Sequence, residues 1–249
     1  MTTRSHMTPA GNLLGFFDDA LYERLALLTP VKFEHDFVGA VATIPTSASV
    51  GWPFIKKTVQ SAGTPTVARV ANASGGTVRL LVDATSEKQE ATLYCGDELN
   101  FNAAAATAGL LWECRAALHG VPAVAGMQVV MGLQSAWIDG PDNAAAYLRF
   151  GCSASGLVYA QAYDGVTVSS VSTGITLTAD AFHVFRIEAF DATSVKFFID
   201  GAGVALASAI PFAATGSTAI LQPYFSAYKA SGAGAASLDV DVVRIGAYR

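Results

Sequence analysis

Charge is scarce in this chain of 249 residues: Asp, Glu, Lys and Arg together make up 14%, against about 25% in ordinary soluble domains. The 15 basic residues never run longer than Lys56-Lys57, and the formal net charge is −5. Without clustered Lys and Arg to neutralise phosphates, nucleic-acid binding is excluded as an expectation. Long apolar segments are missing too, although 52% of the residues are hydrophobic. The stretch Val121 to Ala136 contains Pro122, Gly126, Gln128, Gly132 and Gln134, so it cannot supply the roughly 20 apolar residues of a spanning helix. No apolar signal-peptide core follows Met1-Thr-Thr-Arg-Ser-His-Met7, and synthesis in a cytoplasm without secretion is expected.

Reactive motifs are equally sparse. Cys95, Cys114 and Cys152 are odd in number and widely spaced, with no Cys-x-x-Cys; three reduced, structural thiols are expected. His6, His35, His119 and His183 lack the short spacing of a histidine metal motif. Glu34-His35-Asp36 would place neighbours on opposite faces of a strand. There is no nucleophile elbow, phosphate loop or dinucleotide fingerprint, and Gly151-Cys-Ser-Ala-Ser-Gly156 has neither the lysine nor the strand-to-helix setting that such glycines need. Asp239 and Asp241 have the alternate spacing of a glycosidase carboxylate pair, but read as a solvated strand face. Asp139-Gly-Pro-Asp142 is a loop signature whose oxygens, with Asn143, would suit calcium; the plainer reading is a connection with local side-chain hydrogen bonds.

What the chain does have is strands. Phe182 to Phe190 alternates, with Phe185, Ile187 and Ala189 on one face and Arg186 and Glu188 on the other. Val195, Phe197 and Ile199 share a face in the next stretch, and Asp200-Gly201 is a tight-turn dipeptide. Leu110 to Leu118 also alternates, which assigns Trp112 and Cys114 to a core. In the last strand, Leu238, Val240 and Val242 share one face while Val243 and Ile245 take the other, so a bulge is expected near Val242-Val243. About a dozen short strands with no periodic helices between them describe an all-β antiparallel sandwich over residues 32–249. Residues 1–31 read as a separate arm, with a short amphipathic helix over Leu14 to Leu28 that carries Phe16, Phe17, Leu21 and Leu25. Trp137 and Tyr163, beside the Asp139-Gly140 and Asp164-Gly165 turns, are the aromatics expected to be exposed.

The run Phe182 to Gly201, followed by Leu238-Asp-Val-Asp-Val-Val-Arg-Ile245, resembles the C-terminal half of the concanavalin A-like lectin/glucanase superfamily. His35-Asp-Phe-Val-Gly39 is similar to the opening of some phage proteins of that class. The resemblance spans Lys32 to Tyr248 and implies a jelly-roll sandwich of two antiparallel sheets. Laminarinase-like members carry a Glu-x-Asp-x-x-Glu strand, whereas here Glu113 is followed by Cys114 and Arg115 and no matching trio occurs. No catalytic residue carries over, and a chain that is not an enzyme is expected, with no cofactor and no bound metal.

The low-charge, Ala/Gly/Thr-rich style and the separate arm resemble a tailed-phage virion protein. That implies synthesis in the host cytoplasm and a place in the virion, with the major capsid protein or other virion proteins as partners. It further implies a homo-oligomer, a trimer favoured, acting as a capsid decoration or cement protein that docks through Phe16, Phe17, Leu21 and Leu25. The alternative is the sandwich of a tail adhesin, recognising host surface glycans through Trp137 and Tyr163.

Overall fold

The computed structural model describes residues 3–7, 14–18, 23–26, 31–38, 43–49, 52–71, 73, 75–104, 109–206 and 208–247. The strands are β1 (Thr3–Met7), β2 (Leu14–Asp18), β3 (Glu23–Ala26), β4 (Val31–His35), β5 (Ile55–Gln60), β6 (Thr66–Arg69), β7 (Val78–Val82), β8 (Gln89–Tyr94), β9 (Phe101–Asn102) and β10 (Leu110–Gly120). They continue as β11 (Met127–Gln134), β12 (Tyr147–Cys152), β13 (Leu157–Tyr163), β14 (Val168–Thr176), β15 (His183–Ala189), β16 (Lys196–Ile199), β17 (Ala202–Val204), β18 (Ile220–Lys229) and β19 (Ala236–Ala247). Two sheets hold all but the first three. The first runs β17-β16-β15-β10-β19-β7-β6, with β4 also on β19; the second runs β14-β13-β12-β11-β18-β8-β5, with β9 also on β18. The fold is an all-β antiparallel two-sheet sandwich, and no described helix is long and apolar enough to cross a membrane.

β1, β2 and β3 pair only with one another among the described residues. The helix expected over Leu14 to Leu28 is therefore corrected: Phe16 and Phe17 lie on β2 and Leu25 on β3, while Leu21 falls outside the described residues. The run was short enough for its apolar spacing to fit either element. Gly15 also weakens a helix interior by roughly 1 kcal/mol.

Alternation builds the core. On β10, Leu110, Trp112, Cys114, Ala116 and Leu118 are all buried between the sheets. Trp112 packs 6.1 Å from Phe225 of β18, and Phe150 of β12 meets Phe185 and Phe197 edge-on, each at 5.2 Å. Rings that cross the layer in this way carry about 2–3 kcal/mol each by burial. All three cysteines are free and buried, and burial pushes the Cys152 thiol up to about 12. The β16–β17 hairpin turns on Asp200 (φ 51°) and Gly201 (φ 77°), both left-handed as a two-residue primed turn requires. In β19, Arg115 faces Val242 but Ala116 faces Val240, so Asp241 is the extra residue of a bulge. That bulge returns Val243 and Ile245 to the core.

Candidate functional site

Directly opposed residues of antiparallel strands share a face, so register sorts the side chains of the second sheet. Ala91, Leu93, Val129, Met131, Leu148, Phe150, Ala160, Ala162, Phe225 and Ala227 face the core. Their neighbours form rows on the outer face. One row crosses seven strands as Ile55, Tyr94, Tyr224, Gly132, Arg149, Gln161 and Ser170. A second runs Lys57, Thr92, Ser226, Val130, Gly151, Tyr159 and Ser172. Val59, Glu90, Tyr228 and Gln128 form a third, and Gln222, Gln134, Tyr147, Tyr163 and Val168 a fourth.

Such a face ordinarily meets water, yet Glu90, Thr92, Ser226, Gln134, Gln222 and Arg149 are buried. The cover is the connection between β11 and β12, residues 135–146. Its backbone is held from below: Gly140 N–H donates to Glu90 Oε2 at 2.9 Å, and Arg149 Nη1 donates to the Pro141 carbonyl at 2.7 Å. Arg149 Nη2 also binds Asp142, whose other oxygen accepts from Gln128 at 2.8 Å. Asp139 pairs with Lys88, and Asn143 donates to the Asp139 carbonyl at 2.7 Å. Of the loop oxygens weighed for calcium, both Asp142 oxygens are taken up by Arg149 and Gln128 and Asp139 Oδ2 by Lys88, whereas Asp139 Oδ1 is buried without a hydrogen-bond partner. Beneath the loop, Glu90 Oε1 accepts from Thr92 Oγ1 at 2.7 Å and from Tyr224 Oη at 3.1 Å. Burial, then the charge of Glu90, pushes the Tyr224 phenol well above its ordinary range.

Trp137 belongs to this covered half. Its backbone N–H donates to Asp97 Oδ1 at 3.1 Å, its half-buried ring packs on Ile55, Tyr94, Val130 and Tyr224, and Lys57 Nζ lies 3.6 Å from the ring centre. Tyr163 belongs to the other half. There the outer face of β13 and β14 stays in contact with solvent: Tyr159, Gln161 and Tyr163 are half-buried, and Ser170 and Ser172 are exposed. Arg149 Nε donates to Gln161 Oε1 at 3.0 Å, and Gln161 Nε2 donates on to Ser170 Oγ at 3.2 Å. Tyr163 Oη donates to the Gly165 carbonyl at 3.1 Å, with its ring 5.7 Å from Tyr147. Gly151 adds no side chain beside Tyr159; a Cβ there would meet Gln161 at 2.6 Å.

The other sequence candidates lie elsewhere. Glu113 sits on the outer face of the first sheet, in the cross-strand row Glu34, Arg244, Glu113, Arg186 and Phe198. Asp239 is buried rather than solvated, because Arg79 grips it with two bonds of 2.6 and 2.7 Å, and Asp241 pairs with Arg115. His183 Nδ1 lies 2.7 Å from Asp200 Oδ2. Sequence reasoning passed over Glu90, Arg149 and Tyr159. The available signal was their alternation with core residues in Gln89–Tyr94, Tyr147–Cys152 and Leu157–Tyr163, which marks them as outer-face residues and says nothing of what covers them.

No family model matches this sequence, and no curated protein matches it. Among solved structures, the chain is similar to a protein of unknown function from Shewanella oneidensis MR-1, at 11% identity over 87% of this chain and 85% of that one, with a TM-score of 0.56. It is also similar to a β-1,3-glucanase from Mycobacterium marinum, at 15% identity, 86% and 97% coverage and a TM-score of 0.54. A third is a structure from work on endo-acting O-glycanases that initiate mucin breakdown in human gut microbiota, at 13% identity, 87% and 99% coverage and a TM-score of 0.55. At these identities the likeness concerns the fold, which is the glucanase- and lectin-like, concanavalin A-like sandwich.

These neighbours overturn the expectation that the chain is not an enzyme: two of the three are named for glycan-cleaving activity. The absent Glu-x-Asp-x-x-Glu strand was the ground for that expectation. Acid and base groups can be drawn from separate strands and loops, so a missing one-strand motif does not exclude catalysis on this fold.

Proposed function

We propose that this chain binds carbohydrate along the open half of the second sheet's outer face, on Tyr159, Gln161 and Tyr163 of β13 with Ser170 and Ser172 of β14. The observation that carries the reading is the alternation of two half-exposed tyrosines around an amide that Arg149 holds in place. Sugars present apolar C–H faces that stack on aromatic rings and hydroxyls that pair with amides and serines. Four residues along a strand separate the tyrosines by about 13 Å, a span suited to an oligosaccharide rather than one sugar. The glycan-named neighbours on the same fold support the substrate class.

The test is calorimetric titration of the full chain with β-glucan and mucin-type oligosaccharides, alongside Tyr159→Ala and Tyr163→Ala. Saturable heat with one class, with Kd raised several-fold in each variant, is the expected result; no heat with either class, or a Kd unchanged in both variants, refutes the strip. An oligosaccharide shortened during the titration identifies a substrate as well as a ligand.

A second reading concerns where the chain works. We infer that residues 1–31 mount the sandwich on a tailed-phage particle, because β1, β2 and β3 pair among themselves and leave the sandwich strands to their own two sheets. Co-sedimentation with particles tests it: loss of binding on removal of residues 1–30, which leaves β4 whole, is expected, and binding unchanged by that removal refutes it.

A further inference from the structure

In the two sheets six strands have a single strand partner: β4, which carries Lys32 and Glu34, the two-residue β9, and the path ends β6, β17, β5 and β14. Each of the four path ends leaves backbone N–H and C=O groups without a strand partner. Three are blunted. β17 has three residues and β6 has four, ending on Arg69. β5 carries Lys56 and Lys57. β14 has nine residues, and Gly165 to Ala179 contains neither a charge nor a proline. Val168 is 63% exposed, and Val166 just before the strand is 88% exposed.

The free stretch can be located more closely. Val168 to Ser172 runs opposite Tyr163 to Tyr159 without a register shift, so this part of the edge is regular. Beyond it the edge closes on itself: Gly174 N–H donates to Ser172 Oγ at 3.2 Å, and Ile175 N–H donates to Thr173 Oγ1 at 3.1 Å. Among the described residues no strand pairs with the outer side of Val168 to Ser172.

An occupant must supply an extended segment, and without charge this edge gains nothing from an acidic or basic partner. A second β14 meets the requirement. Under a two-fold axis a strand lies antiparallel to its own copy, so one uncharged, β-branched sequence is its own complement. We propose that two copies of this chain pair β14 to β14 about a two-fold axis at Ser170, joining their second sheets into one continuous sheet. Val168 of each copy then faces Ser172 of the other, and the two tyrosine strips lie on either side of the seam.

Sedimentation equilibrium of the full chain, without carbohydrate and over a concentration series, tests this independently of the glycan reading. The expected mass is twice 25.8 kDa. Ser170→Lys places like charges directly opposite one another, and Ser170→Asp does the same. Each variant alone should sediment at the single-copy mass with an unchanged circular dichroism spectrum, and an equimolar mixture should recover the double mass. Wild type at the single-copy mass throughout, or a Ser170→Lys variant that keeps the double mass, overturns the pairing. A mixture that stays at the single-copy mass overturns the register at Ser170.

Discussion

The covered and open halves of the second sheet's outer face share the same cross-strand rows, yet one meets solvent and the other does not. In the covered half, Glu90, Thr92, Ser226 and Arg149 are buried: Glu90 bonds Thr92 on its own strand and Gly140 of the loop, Thr92 bonds Ser226, and Arg149 bonds the Pro141 carbonyl. In the open half, Tyr159, Gln161 and Tyr163 sit in the same rows with the same alternation and keep their outer surfaces. The difference is a single connection. Residues 135–146 fold back over β8, β18 and β11, while the turn from β13 to β14 is closed by Asp164, whose Oδ1 accepts from Val166 N–H at 2.9 Å and Thr167 N–H at 2.7 Å, and does not fold back. A polar sheet face becomes an interior or a binding surface according to the loop beside it. Burying polar groups is costly unless they are paired; Glu90 and Arg149 pair the loop backbone at Gly140 and Pro141, while the Gln134 amide, the Trp137 indole N–H and Asp139 Oδ1 stay buried without a hydrogen-bond partner.

The largest effect should come from Arg149, which joins both halves. Arg149→Met removes the bonds to the Pro141 carbonyl, Asp142 and Gln161. Asp142 is itself largely exposed, so most of the cost is the stranded carbonyl and the released amide, about 3 kcal/mol in urea unfolding. The same variant should weaken glycan binding, because Gln161 loses its anchor.

Glu90→Ala should act on the covered half alone. It leaves the Gly140 N–H, the Tyr224 hydroxyl and the Thr92 hydroxyl without their acceptor, at a cost of about 2 kcal/mol. Amide exchange at Gly140 should accelerate with no change at Tyr159 to Tyr163. Protection lost equally on β13 would show that the two halves open together.

Tyr163→Ala should do the reverse. Losing one stacking ring costs about 1 kcal/mol of binding, several-fold in Kd, with unfolding midpoints nearly those of wild type because the residue is only half-buried.

The smallest effect is acid sensitivity at Asp164. Burial opposes its ionisation, but the amides of Thr167, Val166 and Ala213 outweigh it and hold the carboxyl below its usual range. A depressed carboxylate stabilises the native state above its unfolded pKa of about 4 and loses that contribution as pH falls through the folded value. The β13–β14 turn should therefore loosen at low pH, read as faster exchange at Val166 and Thr167. Asp164→Asn should flatten that dependence, and a turn that keeps its protection at low pH would contradict the assignment.

Much of the sandwich was legible because strand alternation is a local property. Leu110 to Leu118 placed Trp112 and Cys114 in the core, Asp200-Gly201 marked the turn, and the face switch after Val242 called for a bulge, found one residue earlier at Asp241. The arm misled because Leu14 to Leu28 has too few apolar residues to separate a helix from short strands. Asp239 misled because its partner Arg79 lies far away in sequence.

The site divides along the same line. Sequence alone determined the fold class, the inward faces and the aromatic character of Tyr163, since each follows from the two-residue period of a strand and the chemistry of one side chain. Tertiary structure alone decided that Trp137 lies against Lys57, that Asp142 closes on Arg149, that Glu90 is sealed, and that Tyr159 joins Tyr163 in the open. Exposure depends on which distant segment folds over a face, and that follows from long-range pairing and loop placement rather than from any local pattern.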